Sequence, residues 1–99
     1  MANEQTTALD VLNVFGETTD ILLKALAKPD LDKAHEAISV LLMQGMEMFG
    51  SEHPLMCQFF PVWDSIKSHI DSDNVERALS QTITWKNQLD EVKAIVNSA

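Results

Sequence analysis

Apolar residues recur every three or four positions along most of this chain, which is the spacing of one face of an α-helix. No stretch of convincing length alternates apolar and polar residues as a half-buried strand does, and no Asn-Gly or Asp-Gly hairpin signal occurs. The pattern therefore predicts four helical segments, over residues 6–27, 30–49, 55–70 and 74–97.

The first segment is apolar over more than half of its circumference. Its main face contains Ala8, Val11, Leu12, Phe15, Leu22 and Leu26. Val14, Ile21 and Ala25 widen that face, so that the polar residues occupy only a narrow wedge. A helix of this kind is either central in its bundle or covered by another subunit. The sequence therefore predicts a homodimer.

The second segment has a clear beginning and end. Asp30 is a good helix N-cap, and Gly50 stands where a C-terminal glycine cap belongs. The expected inner face contains Leu31, Ala34, Ile38, Leu41, Leu42, Gly45 and Phe49. At 100° per residue, Val40 and Met43 point instead to the polar side of the helix. Two apolar side chains, one turn apart, are thus predicted where water would be expected.

The third segment contains two prolines. Pro54 is acceptable in a first helical turn, whereas Pro61 would cost about 3 kcal/mol in a helix interior. We therefore expect a short turn of helix over residues 55–59, followed by a second helix, or a kink, over residues 61–70. In the fourth segment, Asp73 and Glu76 are spaced as a capping box. A heptad-like seam follows, made of Val75, Ala78, Leu79, Thr82, Trp85, Leu89, Val92 and Val96.

These segments together predict an all-α fold. The expected architecture is a compact four- to five-helix, mostly antiparallel bundle with the third helix broken at Pro61. All 99 residues are assigned to a single helical-bundle domain.

The acidic balance of the chain narrows the choice of partners. It has 15 Asp and Glu against 7 Lys and Arg, a net charge of -8. Direct nucleic-acid binding and binding to anionic membranes are not expected, because both need clustered cations. No apolar run approaches the ~20 residues of a membrane span. The chain has one cysteine and no secretory signal pattern, so we expect a cytoplasmic protein.

No catalytic or nucleotide-binding motif is present in the sequence, so the chain is predicted not to be an enzyme and to need no cofactor. One metal alternative stays open. His53 and Cys57 are four residues apart, and Met46, Met48 and Met56 are near them in sequence. Imidazole, thiolate and thioether groups together suit a soft ion such as Cu(I).

A second alternative is nucleic-acid mimicry. Small acidic proteins can inhibit a DNA- or RNA-binding enzyme by imitating phosphate charge, and a net charge of -8 is in that direction. Against it, the acidic residues are interleaved with lysines, and no acidic run exceeds two residues.

The middle of the chain, residues 41–63, is the most unusual segment. It holds four of the five methionines and three of the four phenylalanines, and it has no Lys or Arg. Methionine adapts its shape to a partner, and aromatic residues anchor interfaces. The sequence therefore predicts a small non-catalytic protein-interaction module, such as an adaptor, chaperone or inhibitor, with a partner that could be basic. The predicted partner-binding residues are Val40, Met43, Glu47, Met56 and Phe60.

Overall fold

The computed structural model describes residues 4–50 and 52–98 of the chain, with side chains from residue 9 onward. This part of the chain folds into four α-helices: α1 Glu4–Ala27, α2 Leu31–Met48, α3 Pro54–Asp71 and α4 Val75–Ser98. The predicted all-α class and the number of helices are confirmed. Ala8, which the sequence assigns to the apolar face of α1, lies outside the described side chains.

The start and end of α2 follow the sequence prediction. The backbone N–H of Lys33 donates to the Asp30 carboxylate over 3.1 Å, so Asp30 is the N-cap. Gly50 has a φ of 80° and donates its N–H to the Met46 carbonyl over 3.1 Å. The left-handed conformation is why glycine suits this position, since a side chain would be strained there.

The start of α4 differs by one residue from the predicted capping box. Asp73 has a φ of 58° and donates its N–H to the Ile70 carbonyl, so it closes the end of α3. The side chain that caps α4 is that of Asn74, whose Oδ1 accepts the N–H of Arg77 over 3.3 Å. Asn and Asp are both good caps and both tolerate left-handed geometry, so their order could not be separated by type alone.

The predicted break at Pro61 is not confirmed, because α3 runs from Pro54 to Asp71 with Pro61 inside it. Pro61 cannot donate to the Cys57 carbonyl, but both residues are exposed, so water can reach the freed oxygen. On the opposite side of the helix, Phe59 and Trp63 are both fully buried. Core packing on either side of the proline therefore favours one continuous helix.

The four helices pack as a ring. α1 and α3 each pack against both α2 and α4, and the molecule measures 44 × 23 × 19 Å. Successive helices are joined by residues 28–30, 49–53 and 72–74. Such short connections favour antiparallel neighbours, the arrangement that the sequence predicts.

An aromatic cluster fills the centre of this ring. Trp63 meets Phe15 and Trp85 edge to face, at ring-centroid distances of 5.3 and 5.2 Å. The indole Nε1 of Trp85 donates to Thr19 Oγ1 over 2.8 Å, and Thr19 Oγ1 donates to the Phe15 carbonyl over 2.7 Å. Aromatic packing and one buried hydrogen-bond chain thus connect α1, α3 and α4.

Most of the apolar face of α1 is used inside this molecule. Leu12, Phe15, Leu22, Ala25 and Leu26 are buried, and Leu9, Val14 and Leu23 are half-buried. Of the large apolar side chains described in α1, only Ile21 is in the exposed class, at 50%. Among the described residues, no helix is both long and apolar enough to cross a bilayer.

Candidate functional site

The outer side of α2 carries the row of residues that the sequence singles out. Val40, Met43 and Glu47 are three and four positions apart within α2, so their side chains follow one another along one stripe. Met43 is 54% exposed, Glu47 is exposed and Val40 is half-buried. The structure therefore brings these three predicted residues together on the surface, and we call them the outer α2 stripe.

Two more methionines near the end of α2 are also exposed. Met46 is 45% and Met48 is 47% exposed. Among the described residues, the large apolar side chains exposed to this degree are Ile21, Met43, Met46, Met48, Ile83 and Ile95. Half of this set comes from the last two turns of α2, so exposed apolar surface is concentrated there. Met46 and Met48 are not among the partner-binding residues that we predict from the sequence.

Phe60 lies apart from the outer α2 stripe. It is half-buried in α3, where it lines an open depression between α2 and α3 together with Leu42, Pro61, Asp64 and Lys67. Its ring packs edge to face against Trp63, with centroids 6.1 Å apart. Phe60 is therefore partly a core residue, and only part of its side chain is exposed at the surface.

Met56 is not on the surface. It is fully buried in contact with α2, where the backbone of Gly45 leaves room for it. A β-carbon built on Gly45 would lie 2.6 Å from the methyl carbon of Met56 and 2.7 Å from the Trp63 ring. Placing Met56 in the predicted interface therefore needs correction, since its side chain is inside the fold.

The misplacement of Met56 follows from the expected break at Pro61. In a continuous α3, Met56 is in phase with Phe59, Trp63, Ile66 and Ile70, at alternating spacings of three and four. All five are buried. Assuming a break at Pro61 placed Met56 in a separate short helix, outside this periodicity.

Two residues of the Cu(I) alternative, His53 and Met56, have structural roles in the fold. His53 Nδ1 accepts the N–H of Leu55 over 3.1 Å at the start of α3, and the His53 ring stacks on Phe49 at 4.5 Å. Cys57 is exposed, whereas the Met56 sulfur is buried beside Gly45. Within the described residues, no group of three or more His, Cys, Asp and Glu side chains could hold a metal ion.

Charges around the outer α2 stripe are mainly acidic. Asp32, Glu36 and Glu47 are exposed on α2. Elsewhere, acids alternate with cations. Lys86 lies 3.3 Å from Asp20, and Asp71 lies 3.4 Å from Lys67. The negative charge is thus distributed over several faces and is partly compensated by ion pairs. On α2, acidic side chains border the exposed apolar side chains of the outer α2 stripe.

A groove between α1 and α2 has no counterpart in the sequence prediction. Thr18 and Ile21 line it from α1, and Ala37 and Val40 line it from α2, around a depression of about 250 Å³. Thr18 Oγ1 donates to Gln44 Oε1 over 2.9 Å, a hydrogen bond that connects α1 and α2 next to this groove. Neither helix alone indicates this groove, because it depends on how the two pack.

Comparisons with protein-family models, with curated proteins and with solved structures found no match to this chain.

Proposed function

We propose that this protein is a small acidic, non-catalytic protein-interaction module, acting as an adaptor, chaperone or inhibitor. The observation that supports this best is the outer α2 stripe, where Met43 is 54% exposed beside a half-buried Val40. Met46, three residues after Met43 in α2, is also exposed and extends the apolar area. A partner that covers these side chains would gain the free energy of burying apolar surface, about 25 cal/mol per Å² before the costs of association.

The acidic border gives the proposal its electrostatic part. Asp32, Glu36 and Glu47 stand on the same exposed side of α2 as Met43. Complementary charge raises the rate of encounter more than it raises the final affinity. The proposed partner therefore presents an apolar groove with a basic rim, and its association rate falls as salt rises.

Self-association is a weaker part of the proposal. It was predicted from the broad apolar face of α1, yet most of that face is buried within the molecule. Ile21 is the large apolar side chain of α1 that stays half exposed. We propose a homodimer on that residue alone, and sedimentation over a range of concentrations tests it directly.

We also propose that the protein is cytoplasmic, where the exposed free thiol of Cys57 stays reduced.

The test is a pull-down from the source cell with three baits. They are the natural chain, Val40→Asp with Met43→Asp, and a control with Ile83→Asp and Ile95→Asp. The control also replaces two apolar residues by acids, at positions in α4 that are 48% and 68% exposed. We expect the partner to be captured by the natural chain and by the control but not by the α2 variant. Circular dichroism checks that all three are equally helical.

A partner that binds all three baits equally would refute the outer α2 stripe as the interface. Glu47→Lys provides a second variant, since it changes only the charge of an exposed side chain. It should slow association with a basic partner and weaken its salt dependence. The captured protein could instead be a DNA- or RNA-binding enzyme whose affinity is unchanged by Met43→Asp and falls steeply as salt rises. That result would replace our proposal with nucleic-acid mimicry.

A further inference from the structure

The α1–α2 groove differs in charge from the rest of this acidic molecule. Next to the depression lined by Ile21 and Val40 is a second one of about 350 Å³, lined by Ile21, Ala25 and Ala27 and by three lysines. These lysines are Lys24, Lys28 and Lys33. The chain has only 7 Lys and Arg in total, so nearly half of its cations border one apolar groove.

The three groove lysines also differ from Lys67 and Lys86 in their contacts. Lys67 and Lys86 each lie within 3.4 Å of a carboxylate oxygen. Among the described residues, none of the three groove lysines makes an ion pair, although Glu36 also lines the groove. Like Lys93 and Arg77, they carry a positive charge that no carboxylate of the described residues pairs with.

Helix stability explains only part of this arrangement. Lys24 is in the last turn of α1, where a cation interacts favourably with the helix dipole. Lys33 is in the first turn of α2, three residues after the N-cap Asp30, where the same dipole disfavours a cation. The position of Lys33 thus opposes local stability and agrees with a role in the groove.

We propose that the α1–α2 groove binds an acidic amphipathic helix from a partner protein. Apolar side chains of that helix would pack on Ile21, Ala37 and Val40, and its carboxylates would meet the groove lysines. Lys33 and Val40 are seven residues apart on α2, about 10 Å, which matches two turns of a bound helix. The ligand would therefore present apolar residues at positions i, i+3 or i+4, and i+7.

Charge favours this occupant over a second copy of the chain, so the homodimer proposed on Ile21 is a competing occupant of this groove and not the expected one. An isologous dimer centred on the groove would bring the lysines of both copies together, at an electrostatic cost. Charge also distinguishes the groove from the outer α2 stripe, because the groove is proposed to bind an acidic partner and the stripe a basic one. The groove inference goes beyond the proposed function, and the two surfaces share Val40 and the bordering Glu36.

A display library of helical peptides, panned against the purified protein, tests this inference because it samples acidic, basic and neutral helices side by side. The groove variant is Lys24→Gln, Lys28→Gln and Lys33→Gln. The matched control is Lys67→Gln, Lys86→Gln and Lys93→Gln, which removes the same total charge from other faces. We expect the natural chain to enrich peptides with Asp or Glu beside helically spaced apolar residues. Their affinity should fall about tenfold or more in the groove variant and stay within about twofold in the control.

Three results would overturn the inference. These are no enrichment of acidic peptides, enrichment of basic peptides, or equal affinity for the groove variant and its control. Binding of phosphatidylglycerol vesicles in place of peptides would assign the groove to an anionic lipid, and a dimer lost only in the groove variant would assign it to a second copy. Met43→Asp separates the two proposals, because it should leave peptide binding unchanged while it abolishes capture through the outer α2 stripe.

Discussion

A methionine packed against the inner side of α2 is buried, whereas a methionine on its outer side is exposed. On the inner side, Gly45 lets Met56 and Trp63 approach the helix backbone, and both of those side chains are fully buried. On the outer side, Met43 is 54% exposed between Val40 and Glu47. The residue type is the same, so helical phase decides which methionines build the core and which are exposed at the surface. Substitutions on the two sides should therefore have very different effects.

The largest expected effect is on the inner side. Met56→Ala should lower the free energy of unfolding by about 2–5 kcal/mol, because it removes buried contacts and leaves a cavity under Gly45. Met43→Ala, the matched change on the outer side, should alter it by less than about 0.5 kcal/mol. Urea titration of both variants measures the difference. Similar losses in the two variants would contradict the assignment of Met56 to the core.

The two neighbouring threonines of α1 extend the contrast to hydrogen bonds. Thr19→Val leaves the buried Nε1 of Trp85 without its acceptor and should cost about 1–3 kcal/mol. Thr18→Val removes the bond to Gln44, which is only part-buried, and should cost at most about 1 kcal/mol. Chemical denaturation followed by tryptophan fluorescence ranks the pair. A larger loss in the Thr18 variant would show that the Trp85 bond is not the important one.

Two helical glycines test how closely the helices approach. Gly45→Ala should destabilise by roughly 1–2 kcal/mol, because the new methyl group meets the rigid Trp63 ring and the gain in helix propensity offsets only part of that clash. Gly16→Ala should stabilise by up to about 1 kcal/mol, since the nearest atom is the flexible end of Lys93. The two melting temperatures should move in opposite directions. A shift of the same sign would count against the close approach at Gly45.

The smallest effect is expected for a surface ion pair. Asp20→Asn removes the contact with Lys86, in which both side chains are about half exposed. Solvent and salt screen such a pair, so the free energy of unfolding should change by less than about 0.5 kcal/mol. Thermal melts in low and high salt measure it. A loss above about 1 kcal/mol would mean that surface charge matters more here than the packing of the inner faces.

Periodicity and capping chemistry were enough to predict much of this fold. Asp30 and Gly50 delimit α2 as expected, and the outward direction of Met43 follows from helical geometry alone. The prediction at Pro61 was wrong because local propensity opposes a mid-helix proline, whereas burial of Phe59 and Trp63 on the other side of α3 favours a continuous helix. That single local error also moved Met56 from the core to the predicted surface.

The remaining features depend on packing between helices. Met46 is at the edge of the inner face of α2, so the pattern within α2 does not decide whether it is covered; the packed structure leaves it 45% exposed. The lysine-lined groove is likewise a product of two helices. Lys24, Lys28 and Lys33 come from the end of one helix, a connection and the start of the next. In an acidic chain, their meeting at one place could not be deduced from net charge.

Methionine oxidation tests the central contrast most directly. Native protein is exposed briefly to hydrogen peroxide, and sulfoxide formation at each methionine is measured by peptide mass spectrometry. We predict rapid oxidation of Met43, Met46 and Met48, slow oxidation of Met56, and protection of Met43 and the neighbouring Met46 when the captured partner is bound. Rapid oxidation of Met56 in the folded protein, or partner binding that leaves Met43 as reactive as before, would contradict this account.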